Sequence, residues 1–304
     1  MKKEILIIVN PCAGKGKINK YIPDICDNLE KQGYELEVVY TSEENNGEKI
    51  IENYIRYIDT VVVCGGDGTV NEVVNGIIKC NKKINLTFIP FGTTNDFAKT
   101  VKIPRRKIKL SKKLSKYEKK SIDIGSFNSK YFYYVAAFGM FTNISYETKQ
   151  KDKNKLGRLA YFKEGLKSYK GVKKLKTYEA TIVTDDEIIK DKFVYGSISN
   201  SISIGGFKWF KRNDFKINDG LFEIILIKKP KNFRGMLKIL ISILRKKYDQ
   251  KNIFYIKSKH LKIDFEKPVE WTLDGEYGGK HKEILVENNK NKIGILVPKK
   301  RRKV

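Results

Sequence analysis

Three glycines, one carboxylate and one hydroxyl stand together in Gly65-Gly-Asp-Gly-Thr69, between the β-branched run Thr60-Val-Val-Val63 and the helix-like Val70-Asn-Glu-Val-Val-Asn-Gly-Ile-Ile78. Side chains at the glycine positions would hold a phosphate away. Gly65, Gly66 and Gly68 instead let backbone N–H groups approach it where a helix begins. Asp67 narrows the chemistry, because a carboxylate beside phosphates repels them unless a metal ion or a positioned water lies between. The pattern predicts phosphoryl transfer with Mg²⁺. Taken alone, the stretch also suits a plain tight turn between strand and helix.

Two further segments have the same build. Ile5-Leu-Ile-Ile-Val9 is a continuous apolar run, as in a strand buried on both faces, and it ends in Asn10-Pro-Cys-Ala-Gly-Lys-Gly16. Leu86-Thr-Phe-Ile-Pro90 runs into Phe91-Gly-Thr-Thr-Asn-Asp-Phe97. Ligands of open parallel sheets bind outside the carboxyl ends of the strands, so three ends rich in Gly, Thr, Asn and Asp are expected to face one crevice.

The elements that must hold these ends are legible. Over residues 1–124, apolar runs at 5–9, 36–40, 60–63 and 86–90 alternate with helical stretches around 21–31, 48–57 and 70–79. That alternation predicts a parallel α/β sheet. Beyond residue 124 the pattern changes to strands bounded by turns, at 131–137, 178–184, 193–199, 221–227, 252–258, 260–265 and 284–286. A second, β-rich domain over 125–304 is expected. Two basic amphipathic helices, 157–170 and 233–248, interrupt it.

Taken together, Asn10-Pro-Cys-Ala-Gly14, Gly65-Gly-Asp-Gly-Thr69 with Asn71-Glu-Val-Val-Asn-Gly76, Gly92-Thr-Thr-Asn-Asp96, Ile122-Asp-Ile-Gly125 and Asp274-Gly-Glu-Tyr-Gly-Gly279 resemble the diacylglycerol kinase catalytic-domain family. Within it the chain is most similar to the soluble bacterial diacylglycerol kinases and the YegS-like lipid kinases. The motifs follow in the family's order along almost the whole chain. NAD kinases share the Gly-Gly-Asp-Gly-Thr loop, whereas Asp274-Gly-Glu-Tyr-Gly-Gly279 speaks for the lipid branch. Cys12 in the first loop and Glu48 after Gly47 depart from the family pattern, which bears on nucleotide affinity.

The resemblance implies a fold and a set of roles. It implies a nucleotide-binding α/β domain, a β-sandwich second domain and an active site in the cleft between them. ATP would be bound by Asn10, Pro11, Cys12, Ala13, Gly14, Thr41, Gly65, Gly66, Asp67, Gly68, Thr69, Val70, Asn71 and Thr93. Glu276 would be the catalytic base; a glutamate side chain is ionised at neutral pH and can accept a proton. Asp67, Asp123 and Asp274 would serve a carboxylate and water network around the catalytic Mg²⁺. A structural Mg²⁺ would be held by Asp219 and the backbone carbonyls of Lys216 and Leu221. Read from the residues alone, Glu276 also suits an exposed turn carboxylate, Asp123 a strand end, and Asn218-Asp219-Gly220 a hairpin turn without an ion. The loop Gly205-Gly-Phe207, after Ser199-Asn-Ser201, matches a family segment facing the cleft and equally suits a simple strand-joining turn. The implied activity is ATP-dependent phosphorylation of a lipid hydroxyl, foremost diacylglycerol to phosphatidic acid. Another lipid, or NAD, is the neighbouring reading, and a catalytically silent membrane or nucleic-acid binder the third.

Composition sets looser limits. The chain has 304 residues, 40% of them hydrophobic and 32% charged, which excludes a disordered protein and favours two cores over one. Cys12, Cys26, Cys64 and Cys80 show no metal-like spacing, and no secretory leader precedes them, so reduced thiols and a cytoplasmic location are expected. The longest apolar stretch, Gly235-Met-Leu-Lys-Ile-Leu-Ile-Ser-Ile-Leu244, is short and interrupted by Lys238, so no membrane span is expected. The formal charge of +27 is concentrated: residues 99–120 carry eleven Lys/Arg against Glu118, and 151–176 carry ten against Asp152 and Glu164. Such clusters predict peripheral association with the anionic inner face of a membrane, the alternative being solvated lysine faces without a partner. The pattern lacks an aromatic-interleaved RNA-binding signature, so nucleic acid is not the expected partner. The tail Pro298-Lys-Lys-Arg-Arg-Lys-Val304 resembles a nuclear-import signal and equally suits contact with phospholipid. Neither a monomer nor a homodimer is excluded.

Overall fold

The computed structural model describes residues 3–92, 95–104, 107–140, 175–205, 207–211 and 214–299. The chain forms two compact units, Met1–Ile124 with Lys290–Val304, and Gly125–Asn289.

The first unit is built on parallel strands. β1 (Lys3–Val9), β2 (Tyr34–Tyr40), β3 (Thr60–Gly65) and β4 (Asn85–Pro90) lie in the order β4-β3-β1-β2. Their register runs Ile5↔Thr60 and Lys3↔Tyr34 along β1, and Val61↔Leu86 between β3 and β4. Ile5 to Val9 and Val61 to Cys64 are buried. A strand covered on both faces has no reason to alternate, which is why these segments read as unbroken apolar runs. The helices α1 (Ile22–Glu30), α2 (Gly47–Tyr54), α3 (Asp67–Lys79), α4 (Asp96–Val101) and α5 (Lys107–Ser111) connect them. Asn46 caps α2, its side chain accepting from the Lys49 amide at 3.1 Å. Gly76 lets α3 sit against α2, since a Cβ there would lie 2.9 Å from Ile51 Cβ and 3.0 Å from the Glu48 carbonyl.

The second unit is antiparallel and β-rich. It contains β6 (Lys130–Phe132), β7 (Val135–Gly139), β8 (Tyr178–Val183), β9 (Ile188–Ser199), β10 (Ser203–Ile204), β11 (Phe207–Lys208), β12 (Phe222–Lys228), β13 (Ile253–Ser258) and β14 (His260–Leu273). β5 (Tyr117–Phe127) enters it from the first unit, and β15 (Glu276–Pro298) leaves it. The main order is β13-β12-β9-β7-β14-β15, with β8 pairing β14 and β9. One helix, α6 (Phe233–Arg245), lies between β12 and β13 in the chain. Phe132, Phe138, Phe193, Phe222 and Trp271 belong to its core. Gly196 faces Phe138 across β9 and β7, where a Cβ would lie 2.2 Å from the ring; the glycine is the space that the aromatic fills.

Four expectations change. The glycine-rich stretch is not a loop: Gly65 ends β3, Gly66 is the single joining residue, and Asp67 already opens α3. The strand expected over 131–137 is broken at Tyr133 and Tyr134, whose amides turn to a side chain instead of a neighbouring strand. The short strands expected at 260–265 and 284–286 are pieces of the long hairpin β14–β15. The second domain, expected to run to residue 304, gives up its end: Gly294 and Ile295 pair in parallel with Asn85 and Leu86, so Lys290–Val304 belongs to the first unit. The helix expected at 157–170 lies outside the described residues. No helix among the described residues is long and apolar enough to cross a membrane.

Candidate active site

In the first unit, β1 is followed through α1 by β2 on one side, while β3 is followed through α3 by β4 on the other. The direction of winding reverses between β1 and β3, and the carboxyl ends of these two strands therefore flank the ligand crevice of such a sheet. The expected nucleotide residues stand there. Asn10, one residue past β1, donates from Nδ2 to Thr69 Oγ1 at 3.0 Å and takes the Cys12 amide on Oδ1 at 3.0 Å. Its own amide donates to the Cys64 carbonyl at 3.0 Å. One side chain thus ties the end of β1 to the start of α3. Thr41 joins the same rim, its amide donating to the Val9 carbonyl at 2.8 Å.

The loop after Asn10 is tightly wound. Ala13 N–H returns to the Asn10 carbonyl at 3.0 Å, and Gly14, Lys15 and Gly16 have φ of 63°, 61° and 73°. Consecutive left-handed residues turn successive amides in a way that suits an anion, and Lys15 tolerates the conformation at some cost. Lys15 is the residue here that the motif reading passed over; its signal is its place between two glycines. Pro11 and Cys12 lie in the turn itself, with Cys12 exposed.

The start of α3 completes this side. Gly66 caps it in an extended conformation with no side-chain hydrogen bond, so the positive end of the helix dipole faces the crevice without a built-in acceptor from its cap. A Cβ on Gly65 would lie 2.8 Å from Thr69 Oγ1, and one on Gly92 would lie 3.1 Å from Gly66 Cα. Close approach is what these positions need. Asp67 and Gly68 are half-buried in the first helical turn, Val70 is buried and offers its backbone, and Asn71 accepts from Asn75 Nδ2. Thr93 lies outside the described residues. Beside it, Asn95 stands at φ 47° and opens α4, where buried Asp96 holds Lys99 Nζ at 2.6 Å. Asp123 is fully buried on β5, and its Oδ1 accepts the Asn291 amide at 2.7 Å, fastening the returning end of β15.

The second unit holds the other acids. Asp274 and Gly275, at φ 53° and 92°, form a two-residue turn between β14 and β15, with Leu273 paired to Glu276. Paired left-handed residues match the twist of a hairpin. The segment is a tight hairpin, and Gly278 is the extra residue of a bulge between Trp271↔Gly279 and Thr272↔Tyr277. Asp274 is buried. Its Oδ2 accepts the Tyr133 amide at 2.9 Å, and its Oδ1 accepts those of Tyr134 and Val135 at 3.0 and 2.9 Å. Glu276, two residues on, is exposed at the head of β15.

A chain of hydrogen bonds runs on from this turn. The Tyr134 carbonyl accepts the Asn200 amide at 2.9 Å, and Asn200 Nδ2 donates to the Ile217 carbonyl at 3.2 Å. Ile217 sits in the expected metal loop, where Asp219 Oδ1 takes the Leu221 amide at 3.2 Å and Lys216 is exposed. The glutamate hairpin and the loop around Ile217 are thus coupled through Asn200, for which spacing gives no signal. No group of three or more His, Cys, Asp or Glu among the described residues is placed to hold a metal. A hard cation that keeps several waters needs fewer side chains, so Asp219 with two carbonyls suits it. Buried Glu223 belongs to the same unit: burial pushes its carboxyl up to about 8, Lys257, whose Nζ is 3.1 Å away, pulls against this, and Asp219 adds to the rise.

Comparison with known proteins identifies the family. The profile of the diacylglycerol kinase catalytic domain matches residues 4–127. The diacylglycerol kinase of Bacillus subtilis (strain 168) is 31% identical over 302 residues, covering 98% of each chain. That of Staphylococcus saprophyticus is 31% identical over 304 residues, covering 98% of this chain and 96% of the relative. A crystal structure from Bacillus anthracis str. Sterne superposes with a TM-score of 0.82 at 27% identity, covering 97% of this chain and 95% of that one. Identity of this extent along nearly the full length of both relatives shows that the chain belongs to the diacylglycerol kinase family.

Proposed function

We propose that the protein is an ATP-dependent lipid kinase that converts diacylglycerol to phosphatidic acid. The observation that carries the reading is the Asn10–Thr69 bridge at the reversal point of the parallel sheet, beside a helix start that lacks a side-chain cap. That arrangement suits a polyphosphate. The lipid acceptor is supported by relatives named diacylglycerol kinase that match along the whole chain.

Phosphoryl transfer asks little covalent chemistry of the protein and much positioning. Asn10 to Gly14, Thr41 and Gly65 to Asn71 hold the triphosphate with backbone amides and hydroxyls, and Thr93 adds a further hydroxyl. Glu276 takes the proton from the acceptor hydroxyl as its oxygen bonds to the γ-phosphorus, the bond from that phosphorus to the β,γ-bridging oxygen breaks, and ADP leaves. Asp274 fixes the turn that presents Glu276, and Asp67 and Asp123 supply carboxylates for the metal and its water. Mg²⁺, when bound, neutralises charge on the β- and γ-phosphates. Asp219 and the carbonyls of Lys216 and Leu221 would hold a second Mg²⁺, which would steady the loop joined to the hairpin through Asn200.

The enzyme works from the cytoplasm at the anionic inner face of a membrane, a reading supported by 62 Lys+Arg against 35 Asp+Glu. Incubation with ATP labelled at the γ-phosphate, Mg²⁺ and separate diacylglycerol, other lipid and NAD acceptors tests the assignment. Labelled phosphatidic acid is expected. Product with NAD alone would move the enzyme to the other branch, and no product with any acceptor would leave a binding protein.

A further inference from the structure

Helix α6 is apolar on two sides. Met236, Ile239 and Ile243 are buried, as in any helix packed on a core. Phe233, Leu237, Ile241 and Leu244, spaced by four, four and three, form a second row that is 37, 44, 40 and 76% exposed. Four large apolar side chains in one exposed row are more than scattered surface hydrophobics. The neighbouring row is cationic, with Arg234, Lys238 and Arg245. Lys231 precedes the helix, Lys246 and Lys247 follow it, and residues 228–248 contain no acid.

We propose that the outer face of α6 is a membrane-docking surface that lies in the headgroup region of an anionic bilayer, its apolar row inserted and its basic row on the phosphates. This rests on the lipid-kinase reading and names the surface by which the enzyme reaches its substrate. An apolar stripe edged by Lys and Arg is the pattern of a helix lying in the interfacial plane. Charge selects the occupant: a second copy would bring the same unbalanced cations face to face, whereas acidic headgroups answer them. The helix is also held in shape beforehand. Asn232 Oδ1 accepts the Gly235 amide at 2.8 Å, and Lys246, at φ 52°, ends the last turn with Lys247 N–H returning to the Ser242 carbonyl at 3.1 Å. No folding cost has to be met on contact.

The test uses the full chain and vesicles made of equal parts phosphatidylglycerol and phosphatidylcholine, followed by co-sedimentation. The triple variant Leu237→Ser, Ile241→Ser, Leu244→Ser and, separately, the pair Arg234→Gln, Lys238→Gln are each expected to bind roughly tenfold more weakly than the parent. Both should keep the parent's turnover on a short-chain diacylglycerol dispersed below its aggregation limit, which shows that they fold. Weakened vesicle binding without short-chain turnover by the parent would leave the docking face standing and remove the lipid-kinase reading. Unchanged vesicle binding by both variants would overturn the proposal, as would a parent dimer in sedimentation that the triple variant dissociates.

Discussion

Asp274 and Glu276 are acids of one hairpin, and their surroundings give them different work. Asp274 is buried with three backbone amides on its oxygens, while Glu276 is exposed at the start of a strand. Asp274 is a positioning residue in the proposed scheme: it fastens the Tyr133–Val135 corner to the turn that carries Glu276, the proposed base. Asp274→Asn isolates that charge, because Asn tolerates the left-handed backbone as well as Asp does. The amide NH₂ would then face an N–H, and hydrogen bonds to a charged group contribute about 1.5–3 kcal/mol each. The variant is expected to lose about 2–3 kcal/mol of stability in denaturant unfolding and to lose kcat on diacylglycerol while ATP affinity holds; unchanged stability would show that the clamp is not needed. The sequence singles out both acids through the family pattern. It does not show what Asp274 holds, since the amides it grips lie about 140 residues earlier.

At the scale of elements, the proposed nucleotide binding turns on the junction of β3 and α3. A single residue, Gly66, separates strand from helix, and Gly65 leaves room for Thr69 to meet Asn10. Gly65→Ala would put a Cβ 2.8 Å from Thr69 Oγ1. Overpacking of this kind costs about 1–3 kcal/mol, and the displaced hydroxyl would release Asn10. ATP affinity is expected to fall about tenfold or more, equivalent to about 1.4 kcal/mol, in a nucleotide titration; parent-like affinity would remove the bridge from the account. Strands β1, β3 and β4 are legible because doubly covered strands are apolar without interruption. β5 is not, since Tyr117-Glu-Lys-Lys-Ser121 is polar and only its second half is buried. The later parts of β14 and β15 hide for the same reason, with charged residues such as Glu266, Lys267 and Glu270 on their outer faces.

At the scale of the molecule, the chain leaves the first unit on β5 and returns on β15. Ile293, Ile295 and Val297 are buried there, Thr87 Oγ1 donates to the Leu296 carbonyl at 3.1 Å, and Asp123 holds the Asn291 amide. The motifs mark where the first unit ends and carry no sign that residues 290–304 rejoin it, because pairing between distant strands leaves no local pattern. Burying three such side chains contributes about 1.5–3 kcal/mol apiece, comparable with the roughly 5–15 kcal/mol that holds a domain folded. Deleting residues 290–304 is therefore expected to unfold the nucleotide unit and abolish ATP binding, read by thermal denaturation with and without ATP. A truncated protein with the parent's melting temperature would contradict that closure. The central claim, that Glu276 removes the proton from the acceptor hydroxyl, is tested most directly by transfer of labelled γ-phosphate to diacylglycerol in the parent and in Glu276→Gln. The account predicts phosphatidic acid from the parent and a rate about 10²–10⁴ lower from the variant, with ATP binding retained; near-parent turnover by Glu276→Gln would contradict it.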